Sequence, residues 1–252
     1  MRFRTAMAAS FVAVTAIAGC SSGDSSDEQS SDTTLTVLAA SSLTDAFPEI
    51  GNMFSEAHDS VDVQFSFAGS QELVAQADSG APADVLALAG TSSLDALELP
   101  ASEAEMFAKN RLTIIVPADN PAHVESIDDL GDPDVKVALA GPEVPAGAYA
   151  LDAFDNAGIT VEPVSEETEV KAVVTRVAVG GADAGVVYVT DAAASDADIS
   201  EVPIPADVNV IATYPAVALT ESAHAELADA FVQYLLTDDA QQVLRDYGFA
   251  HP

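Results

Sequence analysis

Apolar runs of four to six residues recur along the chain, separated by longer amphipathic stretches. The short runs predict strands at 35–39, 61–67, 85–89, 112–116, 135–138, 185–188, 208–211 and 217–219. The longer stretches predict helices at 43–57, 71–78, 92–97, 147–157, 169–179 and 221–236, with a last one near 238–247. Such alternation is the pattern of an α/β protein with mostly parallel sheets flanked by helices. No internal repeat interrupts it, and the only low-complexity stretch is 21–34.

The first 20 residues break the pattern. Arg2 and Arg4 make a basic start, an apolar run follows from 6 to 18, and Ile-Ala-Gly-Cys closes it at 17–20. This reads as an export signal, 1–19, ending in a lipobox. The apolar run is well short of the roughly 20 residues that span a bilayer. Cys20 is the only cysteine, so no disulfide within the chain can form. The similarity to bacterial lipoprotein signals implies a lipid on Cys20; the alternative is ordinary cleavage that leaves a free thiol. Residues 20–34 would then be the lipidated cysteine and a disordered tether, since Ser, Asp, Gly and Glu bury little apolar area. The expected location is the outer face of the cytoplasmic membrane.

Cleavage before Cys20 leaves 252 − 19 = 233 residues and removes two of eight basic side chains. Six basic against 41 acidic residues give a formal charge of −35 on the mature chain. Nucleic acid is excluded as a partner, because phosphate backbones are bound through clustered Lys and Arg. The same charge does not exclude a small anion held in a closed cleft, since surface charges are screened beyond roughly 8 Å at 0.15 M salt. The acidic surface is read as a means of solubility.

Candidate chemistry lies in five short stretches. They are AASSLT (39–44), FAGSQ (67–71), VPAGAY (144–149), ETEVKAVVTR (167–176) and GVVYVTDA (185–192), with GAPADV (80–85) between the second and third. Their order and wording resemble the molybdate-binding proteins of the periplasmic-binding-protein superfamily, type II, over about 35–249. The resemblance implies two lobes, each a mostly parallel sheet flanked by helices, joined by a two-strand hinge at 111–117 and 210–215. Lobe one would comprise 35–113 and 212–252, and lobe two 114–211. It also implies an oxyanion site made by Ser42 and Ser70 from lobe one and Ala146, Val170 and Tyr188 from lobe two. The expected ligand is molybdate or tungstate. The expected partners are an ABC permease and its ATPase, with the receptor itself a monomer.

The chemistry suits the residue types. A tetrahedral oxyanion offers only acceptors at neutral pH, so it needs donors, and helix N-termini present unpaired N–H groups backed by the helix dipole. Ser42 with Asp45 also forms Ser-x-x-Asp, a capping box, so Ser42 has a purely structural reading as well. Ser41 departs from the family's usual alanine and Gln71 from its frequent serine; either could alter the donor set. Thr168 is a fair N-cap for a helix beginning at Glu169, which leaves the Val170 N–H available. Tyr188 ends an apolar strand, where it could equally cap the core with its hydroxyl in water. All five candidates are uncharged, so the dianion would be met by oriented dipoles, with no buried Lys or Arg to desolvate.

Three rivals stand beside this reading. An enzyme finds no Gly-x-Ser-x-Gly, His-Glu-x-x-His or P-loop, and the four histidines fall in polar or terminal segments. No cofactor is expected, and no residue is expected to ligate a metal cation directly. A cation-binding protein is suggested by the acidic residues, but such residues spread along helix faces are solvated surface. A receptor for sulfate or phosphate stays within the superfamily and differs in motif wording alone.

Overall fold

The computed structural model describes residues 33–252. The export signal 1–19, Cys20 and residues 20–32 of the expected tether lie outside the described residues. Thr33 and Thr34, also assigned to the tether, already belong to β1 (Thr33–Ala40) and pair with Val61 and Asp62. Their β-branched side chains suit a strand and extend it two residues beyond its apolar run.

Nine strands form a curled mixed sheet in the order β2-β1-β3-β9-β4-β7-β5-β6, with β8 alongside β4. In the first half, β1 runs parallel to both β2 (Val61–Ala68) and β3 (Val85–Ala87). In the second, β5 (Val137–Ala140) runs parallel to β6 (Ser165–Glu167) and β7 (Ala184–Tyr188). All four antiparallel ladders involve β4 (Glu105–Pro117) or β9 (Ile211–Ala218). The parallel order expected from the sequence therefore holds for β1 to β3 and for β5 to β7, and among the described residues every antiparallel ladder involves β4 or β9, the strands that join the halves.

β4 changes partners along its length. Glu105–Arg111 pairs with β9, whereas Leu112 onward pairs with β7 and with β8 (Ile199–Pro203). The change of partner falls between the neighbouring residues Arg111 and Leu112. Residues 33–252 nonetheless pack as one compact unit.

Helices cover the sheet where the sequence buries apolar faces. Phe47 and Phe54 of α1 (Phe47–Ala57) meet Phe231 of α7 (Ala225–Tyr234) at ring-centroid distances of 6.4 and 5.1 Å, edge to face. Such pairs add about 0.5–1.5 kcal/mol beyond area burial. On the opposite face, Leu73 and Val74 of α2 (Ser70–Asp78) pack with Leu38, Leu86 and Val217. In the second half, Val173 and Val177 of α5 (Val170–Ala178) lie against β5 and β7, together with α4 (Pro145–Ala157).

Several boundaries differ from the sequence expectation for local reasons. The helix expected from 43 starts at Phe47, after a 3-10 turn Ser41–Leu43, because Pro48 has no N–H for the carbonyl of Thr44 and its ring would clash there. The strand pieces expected at 208–211 and 217–219 are replaced by continuous β9. Pro215 lies within it, and the register of β4 shifts between Met106 and Ala108 opposite that proline; a bulge of this kind accommodates the missing donor. α7 starts at Ala225 because Ser222 turns the chain, bonding Asp84 through its hydroxyl and receiving the His224 N–H at 2.8 Å.

Candidate functional site

The carboxyl ends of β1 and β2 carry the two serines. Ala40 leads into the turn Ser41–Leu43, so Ser42 sits at the tip of β1. The capping box expected from Ser42 and Asp45 does not form. Ser42 makes no cap bond; its hydroxyl lies 3.0 Å from Tyr214 Oη, while the Asp45 carboxylate pairs with Lys171. Asp45 is drawn away by a cation from the other half of the sheet.

Ser70 is the first residue of α2, after the N-cap Gly69. Its Oγ accepts the Ala89 N–H at 2.9 Å, which leaves the hydroxyl proton for another acceptor. Gly69 is needed for closeness: a Cβ there would sit 2.7 Å from the Thr168 carbonyl oxygen. The N-terminus of α2 can therefore approach the strand end that leads into α5.

From the second half, Val144 caps α4 and Pro145 is its first residue, so the amides of Ala146 and Gly147 lie in the first turn without intrahelical acceptors. Gly147 lies on the sheet end, where a Cβ would come 2.2 Å from the carbonyl oxygens of Ala140 and Gly141. Helix α5 begins one residue later than expected: Glu169 is the N-cap and Val170 the first helical residue. The Val170 amide remains unpaired by the helix, now as its first N–H.

Tyr188 ends β7 and caps the short helix α6 (Val189–Ala193). It is 1% exposed, and its buried Oη has no hydrogen-bond partner among the described residues. The reading of this hydroxyl as a cap in water is thus excluded. Burial, with Tyr214, Tyr149 and Asp191 nearby, holds it well above the ordinary phenol range, so it is a neutral donor.

These residues meet. Ser42, Ser70, Ala146, Val170 and Tyr188 all line one small pocket, together with Ser41, Gly69 and Pro145 among others, and among the described residues no charged side chain lines it. Gln71 does not line it; its Nε2 donates instead to the Thr168 carbonyl at 3.3 Å. Lys171, next to Val170 in α5, pairs with Asp45, a contact between the two halves.

A second layer was not legible in the sequence. Asn110, Thr190 and Tyr214 are buried; Asn110 donates to Thr190 and to Tyr214, and Tyr214 bonds Ser42, each bonded pair lying 80 to 172 residues apart along the chain. Asp191 is 3% exposed, accepts the Tyr188 N–H through Oδ2 at 3.3 Å and leaves Oδ1 unpaired. Burial raises its pKa to about 7, against the opposing pull of Lys171. Only Thr190 and Asp191 had a hint, falling within the motif GVVYVTDA.

Comparison with known proteins adds to this geometry. The family model of bacterial extracellular solute-binding proteins matches residues 35–250. The chain is 37% identical over 221 residues to the molybdate-binding protein ModA of Mycobacterium tuberculosis, a match that spans 86% of this chain and 85% of that one. In structure it is similar to the periplasmic molybdate-binding protein of Azotobacter vinelandii, with a TM-score of 0.74 and 20% identity over 86% of this chain and 99% of the other. The sulfate-binding protein SubI of Mycobacterium tuberculosis gives the same TM-score, 0.74, with 18% identity over 86% of each chain. The fold is therefore the two-lobed α/β fold of periplasmic binding proteins, and likeness of fold alone does not choose between these two named ligands.

Proposed function

The chain belongs to the family of bacterial extracellular solute-binding proteins, and on that premise we propose that it captures molybdate or tungstate between its lobes and delivers it to an ABC importer. One observation carries the choice of ligand class: five uncharged residues from four separate helix or turn starts and one strand end surround a single pocket without any charged lining among the described residues. Ser42, Ser70 and Tyr188 offer hydroxyl protons, and Ala146 and Val170 offer backbone N–H groups. A bare dianion accepts all of these. A protonated phosphate would present a hydroxyl with no evident acceptor, which is costly in a buried site. The 37% identity to a protein named for molybdate favours this oxyanion over sulfate.

The remaining assignments belong to the same reading. Residues 35–113 and 212–252 form lobe one and 114–211 lobe two, with the crossing at Arg111 and Leu112 and at the start of β9 serving as the hinge. Residues 1–19 are an export signal, and a lipid on Cys20 tethers the protein through 20–34 to the outer face of the cell membrane. The protein acts as a monomer, without catalysis, and docks on the permease whose ATPase drives uptake.

Thermal unfolding of the purified protein with molybdate, tungstate, sulfate and phosphate tests the reading, since a ligand that binds only the folded state raises apparent stability according to its affinity. Molybdate and tungstate should raise the midpoint by several degrees at millimolar concentration, and sulfate and phosphate by much less. A larger shift with sulfate would reassign the receptor to that anion, and a shift with ferric or calcium ions alone would reject an oxyanion site.

A further inference from the structure

The two serines of the pocket hold their protons in different ways. At Ser70 the acceptor side of the hydroxyl is filled by a fixed donor, the Ala89 backbone N–H, at 2.9 Å. At Ser42 the neighbour is another hydroxyl, Tyr214 Oη, at 3.0 Å, and either oxygen could donate. The direction of that bond decides whether Ser42 offers a proton or a lone pair to the pocket.

The surroundings settle the direction. Asn110 Oδ1 accepts the Arg111 N–H at 2.9 Å, which fixes the amide so that Nδ2 faces inward. Nδ2 then donates to Thr190 Oγ1 at 2.8 Å and, over a longer 3.4 Å, to Tyr214 Oη. An amide NH₂ cannot accept a proton. Tyr214 is fully buried, and among the described residues its hydrogen-bond partners within 3.5 Å are Asn110 and Ser42. A buried hydroxyl left without an acceptor is costly, so Tyr214 donates to Ser42, and the Ser42 proton turns to the pocket.

We propose that Asn110 and Tyr214 are positioning residues that aim the Ser42 hydroxyl at the bound oxyanion, doing with two side chains what the Ala89 N–H does for Ser70. This inference rests on the molybdate reading above. Both residues stand on the crossing strands, Asn110 on β4 beside the Arg111 and Leu112 crossing and Tyr214 on β9. The same amide reaches Thr190 on α6, the helix capped by Tyr188. One buried group therefore registers a lobe-one hydroxyl and the helix that follows a lobe-two hydroxyl.

The test is a double-mutant cycle on molybdate affinity by calorimetry, with wild type, Tyr214→Phe, Ser42→Ala and the double variant. Phenylalanine keeps the ring packed against Phe107, Tyr188 and Phe249 and removes only the donor. Tyr214→Phe should weaken binding roughly three- to tenfold in the wild-type background, the worth of one ordinary hydrogen bond, and by less than twofold when Ser42 is already alanine. A merely structural tyrosine would give the same loss in both backgrounds, and that additivity would overturn the proposal, as would an unchanged Kd in the single variant. If Tyr214→Phe does not fold, Tyr214→Met takes its place, because methionine fills the space flexibly and likewise removes the donor. Its loss must again vanish in the Ser42→Ala background, or the proposal fails. Failure of the wild type to bind molybdate at all would instead remove the reading on which this one stands.

Discussion

At the scale of single residues, Tyr188 and Asp191 are the most informative pair. A buried phenol with no partner among the described residues leaves a donor unsatisfied, a cost that a bound oxyanion oxygen would relieve. Tyr188→Phe should therefore keep the fold and lose about 1.5–3 kcal/mol of molybdate binding, the usual worth of a hydrogen bond to a charged group; calorimetry that finds wild-type affinity would remove the tyrosine from the site. Asp191, joined to the Tyr188 amide, has a pKa raised to about 7 by burial, with Lys171 opposing and Asp45 and Glu169 adding to the rise. A raised acid contributes stability that is full below its unfolded value near 4 and is lost as pH climbs through about 7. A dianion next door favours the protonated form further and raises that pKa in the complex, so affinity should fall as pH climbs above about 7. In Asp191→Asn the melting temperature should lose most of its slope between roughly pH 4 and 7, and the Kd most of its slope above about pH 7. An unaltered slope in that variant would place the titration elsewhere.

The five pocket residues were legible because each lies in a short motif at a strand end. The layer behind them was not. Asn110, Thr190 and Tyr214 come from three remote stretches, and nothing in their own neighbourhoods marks them as polar groups bound for the interior. Ser42 shows the converse limit: its spacing from Asp45 fits a capping box, but Lys171 takes the carboxylate and Tyr214 takes the serine. A tertiary partner outcompeted the local one.

At the scale of elements, the site is an arrangement of helix starts. Val170 provides the cleanest test because it is the first residue of α5, where proline is tolerated, and because Glu169 before it is already extended, with φ −152° and ψ 158°. Val170→Pro should remove one N–H from the pocket at little cost in stability and weaken molybdate at least tenfold, whereas Val170→Ala should change affinity less than about threefold. Equal effects of the two substitutions would show that the amide is not a contact. Strand β6 (Ser165–Glu167) and β8 went unread in the sequence because they lie at the margins of the sheet and carry few apolar residues: Ser-Glu-Glu and Ile-Ser-Glu-Val-Pro. An edge strand needs only one covered side, so its pattern is weak. The central strands were legible because burial on both faces demands apolar runs, as in β1 and β7.

At the scale of the whole molecule, a dianion must approach a surface of strong like charge to reach a neutral pocket. Long-range repulsion slows encounter and salt relieves it. Stopped-flow association of molybdate should accelerate severalfold between about 0.01 and 0.15 M salt, the reverse of a receptor that steers its anion with surface lysines. A rate that falls with added salt would point to local attraction, with Lys171 as the first suspect. Composition made this charge plain but not its consequence, because whether Lys171 enters the pocket or pairs with Asp45 depends on how the lobes meet.

The central claim is that an oxyanion is held between the lobes by neutral donors alone. Diffraction from crystals grown with molybdate, recorded at the molybdenum absorption edge, locates the metal directly. The account predicts one strong anomalous peak inside the pocket, with oxygens against Ser42, Ser70, Tyr188 and the amides of Ala146 and Val170, and no lysine or arginine in contact. A peak outside that pocket, or one coordinated by a cationic or carboxylate side chain, contradicts it.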